Sequence, residues 1–411
     1  MLSRWQWLLI RTTRRLWFRA TLFSVLGIVV AVLAALVQPL IPADIPAKIG
    51  ADSVDNILGI IASSMLAVTT FSLSTMVASY AAATSNVTPR ATSLLIEDPT
   101  TQNALATFIG SFLFSLVGII ALSTGIYGSQ GRVVLFAATL LVIAAVVVML
   151  LRWIDHLARL GRVGETTERV EQAAARAMRE RRRWPTLGAV ERRGDPPAGA
   201  QPVHAATIGY VQHIDIGALS EAAGEGRVHV EALPGGFVDR TRPLAYAAQV
   251  DQDRLEAVRE AFTVASSRSF EQDPRFGLSV MAEIASRALS PALNDPGTAI
   301  DVIGRSVRIL SILLEKVDDP DRFEVEIENV FVPTLAVEDM FDDMFTPIAR
   351  DGAGNVEVQL RLQKALASLA GMGDERFAAA ARRHSREARE RAETAMTLEA
   401  DRERVRAVAI G

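Results

Sequence analysis

The residues best suited to ligand chemistry lie in the C-terminal half, around a pair of closely spaced prolines. Ser290 must end a helix, because the proline after it disfavours helical geometry in the preceding residue. Asn294 and Asp295 then precede a second proline, which is the pattern of a helix start. The free N–H groups at such a start bind anions, and Arg287 or Arg305 can add positive charge. The stretch is therefore either an anion site or a rigid interhelix elbow whose caps bond only to backbone, and we favour the elbow.

The same region offers a second kind of chemistry, a cation held by carboxylates. Four acids could supply ligands, but sequence spacing alone does not bring them together: Asp273, Glu283, Asp295 and Asp301. The full set of residues for the possible ligand site or capping elbow is Arg268, Asp273, Arg287, Ser290, Asn294, Asp295 and Asp301.

A second candidate is the uncharged stretch between Asp55 and Arg90. As a helix it would extend about 50 Å, more than the roughly 30 Å of hydrocarbon in a bilayer. Hydroxyl side chains occur on almost every turn, and small residues recur every fourth position. Such a face lines a wetted pore or packs closely against another helix, with packing the simpler interpretation, and in both cases the helix lies inside a bundle. The residues of this possible pore or packing face are Ser63, Thr70, Ser74, Ala78 and Ala82.

Composition excludes several classes of function. The 411 residues include no cysteine, so disulfides and thiolate metal sites are excluded, and the five histidines lack zinc-binding spacing. The net charge of −4 gives no reason to expect nucleic acid binding. No nucleophile motif, phosphate-binding loop or dinucleotide fingerprint occurs. We therefore predict no cofactor, no metal and no catalytic residues, and an enzyme is the less favoured class.

Hydropathy places four membrane helices in the first 151 residues, with spans at about 20–39, 54–82, 105–126 and 133–151. Residues 1–19 form a basic segment with interfacial tryptophans. Arginines collect before the first span and after the fourth, while the 39–53 loop has one lysine. Basic residues favour the cytoplasmic side, so both termini are predicted to be cytoplasmic. The fourth span is almost purely aliphatic and is predicted to face lipid.

The remainder is predicted to be an α+β, mainly helical, cytoplasmic domain. Residues 152–200 read as a charged stalk and linker, 201–250 as a small β module with one wet face on the strand at 227–232, and 251–411 as a helical domain. Helices are predicted at about 252–266, 275–289, 297–315, 335–349, 355–370 and 375–405, with a strand option at 324–332. The acids between Glu338 and Asp343 are predicted to be solvated, opposite Phe341 and Phe345.

Five short motifs make the chain resemble a known family. They are ALSPALNDPGTAI (288–300), RSFEQD (268–273), GGFV (235–238), F-S-x-S (71–74) and T-P-R (88–90). The chain resembles the domain of unknown function 2254 family of predicted bacterial membrane proteins. The resemblance covers nearly the whole sequence and implies a membrane protein, but no molecular activity.

Two hypotheses for function follow. In the first, an oligomeric inner-membrane protein uses its second helix to line a channel-like or transport path controlled by the cytoplasmic domain. In the second, a membrane-anchored sensor or scaffold binds a ligand or protein partner through that domain. Both predict a bacterial inner-membrane location, a lipid environment, homo-oligomers, no nucleic acid and an unidentified small ligand or ion.

Overall fold

The computed structural model describes residues 13, 16–36, 51–124, 129–315 and 327–410. These residues divide into two compact units. The bundle unit falls within Leu8–Ser85 and Thr92–Glu165, and the mixed unit within Asn86–Ala91 and Thr166–Gly411. The architecture is mostly helical with a small sheet region, as predicted. The basic segment and the 39–53 loop lie largely outside the described residues.

The bundle unit contains the apolar helices. They are α1 (Leu16–Leu36), α2 (Ala51–Asn86), α3 (Thr92–Ile96), α4 (Pro99–Ser123) and α5 (Ser129–Leu157). Three helical stretches of the described chain are long and apolar enough to cross a membrane: Ser53–Ser85, Pro99–Ser123 and Gly131–Leu157. In α1 the apolar stretch is shorter, Trp17–Leu33. Three candidate spans are therefore present, and the fourth stays a prediction.

Glycines allow α1 and α4 to pack at close range. A Cβ on Gly27 would lie 2.7 Å from the Gly110 carbonyl oxygen, and a Cβ on Gly110 would lie 2.9 Å from the Phe23 carbonyl oxygen. Neither position can hold a larger side chain without separating the helices. Small residues at helix contacts are the usual means of close approach in membrane bundles.

Apolar clusters join α2 to the other bundle helices. Val54 and Leu58 pack with Phe114 and Leu135, and further along Ile61, Met65, Ala104, Phe108, Val146 and Trp153 form a second cluster. Of the three candidate spans, α4 is the most enclosed, with 50% of its most apolar segment buried, and α5 is the least enclosed, with 17%. The low burial of α5 agrees with its predicted exposure to lipid.

The mixed unit contains two sheets. The strands are β1 (Ala189–Glu191), β2 (Gln201–His204), β3 (Gly209–Ile214), β4 (Arg227–Val230), β5 (Phe237–Val238), β6 (Pro243–Ala248), β7 (Phe262–Ala265) and β8 (Ile327–Val332). A five-stranded sheet has the order β1-β8-β4-β6-β2, and a three-stranded sheet has the order β5-β3-β7. β8 pairs in parallel with β1 and β4, and the other pairs are antiparallel. Valines and alanines of both sheets share one core with a short helix, α7 (Ile216–Ala223).

Helices make up the rest of the mixed unit. They are α6 (Val163–Arg183), α8 (Leu255–Glu260), α9 (Pro274–Ala288), α10 (Pro296–Ser311), α11 (Val337–Asp351), α12 (Val356–Met372), α13 (Glu375–Ala395) and α14 (Glu399–Val408). Phe341 and Phe345 on α11 are fully buried. The aspartates before α9 and α10 cap these helices, as the Asp-Pro pairs predicted.

The structure differs from the predictions at several elements. The helix predicted at 252–266 is a 3-10 turn and the short α8, followed by β7, because Thr263 and Val264 pair with β3. The predicted stalk is a packed helix: a Cβ on Gly277 of α9 would lie 2.4 Å from the Ala174 Cβ on α6. The region predicted as stalk and linker also contributes β1 to the larger sheet.

One prediction of a solvated side chain is also wrong. His229 on β4 is 8% exposed, because its ring stacks on Phe331 of β8 with centroids 4.6 Å apart. The acids of α11 lie at the surface opposite Phe341 and Phe345, as predicted, and they also form ion pairs: Asp339 and Asp343 bind Arg275, and Asp342 binds Arg383.

Candidate functional site

The predicted pore or packing face of α2 points away from its own bundle. Ser63, Thr70, Ser74 and Ala78 are exposed, and Ala82 is half-buried. The opposite face carries the buried side chains Leu58, Ile61, Met65, Ser72 and Met76. Among the described residues, no other helix covers the hydroxyl side of α2, so its enclosure inside a bundle stays a prediction.

The exposed hydroxyls of α2 are already satisfied inside their own helix. Ser63 Oγ donates to the Gly59 carbonyl at 3.0 Å, Thr70 Oγ1 to Leu66 at 2.9 Å and Ser74 Oγ to Thr70 at 3.0 Å. Each donor thus has an acceptor one turn back, as serine and threonine commonly do in helices. Because no partner is needed to satisfy these donors, the face can meet lipid, water or another helix without leaving a donor unbonded.

Ser72 belongs to a polar network on the buried side of α2. Its Oγ accepts a hydrogen bond from Trp153 Nε1 at 2.8 Å. The Trp153 ring stacks on His156, whose Nε2 lies 2.9 Å from Asp98 Oδ2. Asp98 in turn caps α4 through the backbone N–H of Thr101 at 2.8 Å. The network joins α2, α4 and α5, and Trp153 and His156 could not be found from sequence because their partners are distant along the chain.

The elbow between α9 and α10 has the geometry of a structural cap. Asp295 accepts from the Thr298 N–H at 3.1 Å and from Thr298 Oγ1 at 2.6 Å, and these bonds lower the pKa of its carboxyl. The Asp295 N–H donates to the Ala288 carbonyl at 2.8 Å, and the Ser290 carbonyl accepts from the Asn294 N–H at 2.8 Å. Asn294 has a φ of 47°, a left-handed conformation that asparagine tolerates.

The arginines proposed to join that elbow have other roles. Arg305 pairs with Asp301 at 2.6 Å and with Glu171 of α6 at 2.5 Å. Burial opposes ionisation of Glu171, but hydrogen bonds from Arg308 and Arg305 outweigh it and lower its pKa. Arg287 forms no ion pair with Asp295 in the described part of the chain. The elbow residues are thus not gathered around a common centre.

Arg268 and Asp273 do converge, with the GGFV loop beside them. Arg268 Nε and Nη2 donate to the two Asp273 oxygens at 2.8 and 3.0 Å, a bidentate pair. Asp273 also caps α9 through the Phe276 N–H at 3.0 Å and is only 2% exposed. Burial raises the pKa of the Asp273 carboxyl, against the opposing effect of Arg268. A Cβ on Gly235 would lie 2.1 Å from Asp273 Oδ2, so the loop and the carboxylate touch directly.

A second cation, not anticipated from sequence, lies behind this pair. Arg181 on α6 is 5% exposed and donates through Nη2 to the Gln272 carbonyl at 3.1 Å. Burial lowers the pKa of Arg181 to about 10, while the Asp273 charge opposes that fall. The charge stays in place at neutral pH, so Asp273 has a guanidinium on two sides. In the sequence, Arg181 lies in a charged run typical of a solvated stalk. That pattern gave no indication that Arg181 is buried near Asp273.

Gly235 and Arg268 form part of the wall of a cavity of about 560 Å³ in the mixed unit, while Asp273 and Arg181 lie outside its lining. Its lining includes residues 231–238, Thr241, Arg242, Pro243, Tyr246, Arg268, Arg275 and Leu335. Two of the motifs noted in the sequence, GGFV and RSFEQD, therefore meet at one site. Ligand sites commonly have volumes of about 300–1,000 Å³, and this cavity falls within that range.

A third motif, T-P-R, also belongs to the mixed unit. Thr88 Oγ1 donates to Glu283 Oε2 at 2.9 Å, and Arg90 Nη1 donates to Glu283 Oε1 at 2.6 Å. Glu283 is thus engaged with Thr88 and Arg90, apart from the other three acids proposed as cation ligands. Among the described residues, no group of histidines and acids is arranged to hold a metal ion.

Comparison with known proteins gives a family but no activity. A family model described as "predicted membrane protein (DUF2254)" matches residues 13–368. Uncharacterized proteins of Mycobacterium bovis and Mycobacterium tuberculosis are 36% identical over 140 residues, which cover 31% of this chain and 26% of each relative. The matched part thus spans about a quarter of these relatives. No solved structure was found to match the chain. With its apolar helices, the chain belongs to the DUF2254 family of predicted membrane proteins.

Proposed function

We propose that this protein is a homo-oligomer of the bacterial inner membrane whose α2 hydroxyl face lines a water-accessible, channel-like path. The observation that carries the proposal is the outward direction of that face: Ser63, Thr70, Ser74 and Ala78 are exposed, while the opposite side of α2 packs on the bundle. A row of hydroxyls is polar enough to contact water and small enough to leave space for it. The mixed unit would then be the cytoplasmic domain that controls the path.

The proposed orientation has four spans, with both termini cytoplasmic. The arginines before α1 and after α5 support it, since basic residues favour the cytoplasmic side. Reporter fusions after residue 151 and at residue 411 are expected to report the cytoplasm, and a fusion near Ala47 the outside. A periplasmic C-terminus would overturn the four-span count.

Single cysteines test whether the α2 face is wet. The natural chain has no cysteine, so each variant carries one thiol. Cysteines at Ser63, Thr70, Ser74 and Ala78 are expected to react with a membrane-impermeant thiol reagent. A cysteine at Val142 on α5 is the control and should stay unreactive. Equal protection at all five positions would remove the path and leave only a packing seam between helices.

A second candidate function, a membrane-anchored sensor, is favoured by the cavity in the mixed unit. The cavity joins two separate sequence motifs, and the buried carboxylate of Asp273 holds Arg268 in its wall. Such preorganisation is typical of ligand sites. The two candidates are compatible, because a ligand in this cavity can be what controls a path through the membrane.

A further inference from the structure

The cavity wall presents guanidinium groups and few acceptors. Arg242, Arg268 and Arg275 line it, with Glu231 as the carboxylate among the lining residues. Glu231 already accepts from Arg192 Nη1 at 2.7 Å. A ligand in this cavity would therefore meet more hydrogen-bond donors than acceptors.

The carboxylates that balance Arg268 and Arg275 lie outside the lining. Asp273 holds Arg268, and Asp343 and Asp339 hold Arg275, with Nε of Arg275 2.6 Å from Asp343 Oδ2. None of these three acids is part of the cavity lining. Arg268 and Arg275 are thus oriented before any ligand binds, so less side-chain entropy is lost on binding.

Arg268 keeps donor capacity after pairing with Asp273. A guanidinium has five N–H donors. Arg268 directs Nε and Nη2 at Asp273, and its Nη1 makes no hydrogen bond within the described residues. Its guanidinium also lies 5.1 Å from the centre of the Phe276 ring, which fixes its plane. Arg242 is exposed, so it can move toward a ligand.

Apolar and aromatic side chains line another part of the wall. Leu233, Phe237, Tyr246 and Leu335 contribute to it. Phe237 is 44% exposed, although its ring is held edge-on against Tyr210 with centroids 5.2 Å apart. An exposed but fixed aromatic ring next to guanidinium donors suits a ligand that has both an anionic group and an apolar ring.

We propose that this cavity binds a small organic anion, a carboxylate or phosphate monoester that carries an apolar ring. The inference rests on the second candidate function, that the mixed unit binds a ligand, and it is independent of the α2 face. In this arrangement Arg242 and Arg268 bind the anionic group, and Phe237 contacts the ring. Gly235 keeps the loop against Asp273, which holds Arg268 in position.

The test uses the full-length protein in detergent micelles, three probes of similar size, and inorganic phosphate as a fourth probe that lacks the ring. Phenyl phosphate supplies the anion and the ring, benzyl alcohol is neutral, and benzylamine is a cation. Binding is measured by calorimetry at constant ionic strength. Phenyl phosphate is expected to bind at least roughly tenfold more tightly than benzyl alcohol or benzylamine, because only its anionic group accepts charge-assisted hydrogen bonds from the guanidinium groups.

Variants locate the binding. Arg242→Gln should weaken phenyl phosphate binding roughly tenfold, while Arg240→Gln, an exposed neighbour outside the lining, should change it less than about twofold. Phe237→Ala should weaken phenyl phosphate but leave inorganic phosphate unchanged. The melting temperature without ligand checks that each variant is folded.

The outcomes separate the proposal of an anionic ligand from the proposal that the mixed unit binds a ligand at all. Preference for benzylamine or benzyl alcohol, lost in Phe237→Ala, would overturn the anion assignment and leave a ligand site in place. Binding of phenyl phosphate that is equally affected by Arg240→Gln and Arg242→Gln would overturn the assignment to this cavity. No binding of any probe at millimolar concentration would overturn both the inference and the sensor function.

Discussion

Replacing Asp273 and Asp295 with asparagine separates helix capping from charge pairing. Both residues precede a proline and cap a helix, Asp273 through Phe276 and Asp295 through Thr298. They differ in surroundings, because Asp295 is exposed and Asp273 is 2% exposed. Asparagine caps about as well as aspartate, so the cap is preserved in both variants and the charge is lost.

The expected magnitudes follow from these surroundings. Asp295→Asn should change the free energy of unfolding by a few tenths of a kcal/mol, and Asp295→Ala should lower it by about 1 kcal/mol, the value of a cap. Asp273→Asn leaves Arg268 unpaired and the buried Arg181 without its countercharge. Removing one partner of a buried pair costs about 3–5 kcal/mol, so Asp273→Asn should be the most destabilising of the three.

Hydrogen–deuterium exchange of the full-length protein in micelles measures these differences locally. The full chain is needed, because a fragment that begins at residue 186 would lack α6 and with it Arg181 and Glu171. Peptides from α9 should exchange at least about a hundredfold faster in Asp273→Asn than in Asp295→Asn, since about 1.4 kcal/mol corresponds to a tenfold change. Similar exchange in the two variants would refute the pairing role of Asp273. A large increase of exchange in Asp295→Asn would instead show that the elbow between α9 and α10 needs the negative charge of Asp295.

Three further changes test other parts of the structure. Gly235→Ala should destabilise the mixed unit, because Gly235 has a φ of 91° and its Cβ would meet Asp273; melting temperature measures this, and an unchanged value would contradict the contact. Burial, aided by the charges of Arg192 and Arg227, lowers the pKa of His229 in the folded protein. As pH falls below about 6.5, this histidine is therefore protonated in the unfolded chain before the folded one, and the free energy of unfolding decreases. His229→Leu should therefore reduce the acid loss of stability by up to about 1.4 kcal/mol per pH unit in urea titrations between pH 7 and 5, and an unchanged slope would exclude this role. Gly110→Leu should separate α1 from α4 and lower stability in micelles by about 1–3 kcal/mol, whereas Gly59→Leu, which has open space around it, should not.

Local signals in the sequence were sufficient for the helix starts and the apolar helices. Asp98, Asp273 and Asp295 each precede a proline and each caps the helix that follows. A cap depends on residues three positions apart, and a candidate span depends on continuous apolar length, so both are readable from one stretch of chain.

Features that depend on distant pairs could not be predicted. Arg275 meets Asp339 and Asp343, which lie 64 and 68 positions away, and this pairing orients a guanidinium that lines the cavity. β8 joins β4 only through the fold of the intervening helices, and that pairing buries His229 against Phe331. The cavity itself appears only when two loops about thirty residues apart in sequence meet at Asp273. Sequence named both motifs without showing that they are neighbours.

Disulfide cross-linking between copies tests the central claim most directly, that the hydroxyl face of α2 meets other copies of this chain. A single cysteine at Ala78 places one thiol on that face, and a single cysteine at Leu141, which is 73% exposed on α5, is the matched control. After oxidation in native membranes, Ala78→Cys is expected to give cross-linked dimers, and Leu141→Cys is expected to remain monomeric. If Ala78→Cys gives no more dimer than Leu141→Cys, the α2 face does not meet a second copy, and the proposed oligomeric path is contradicted.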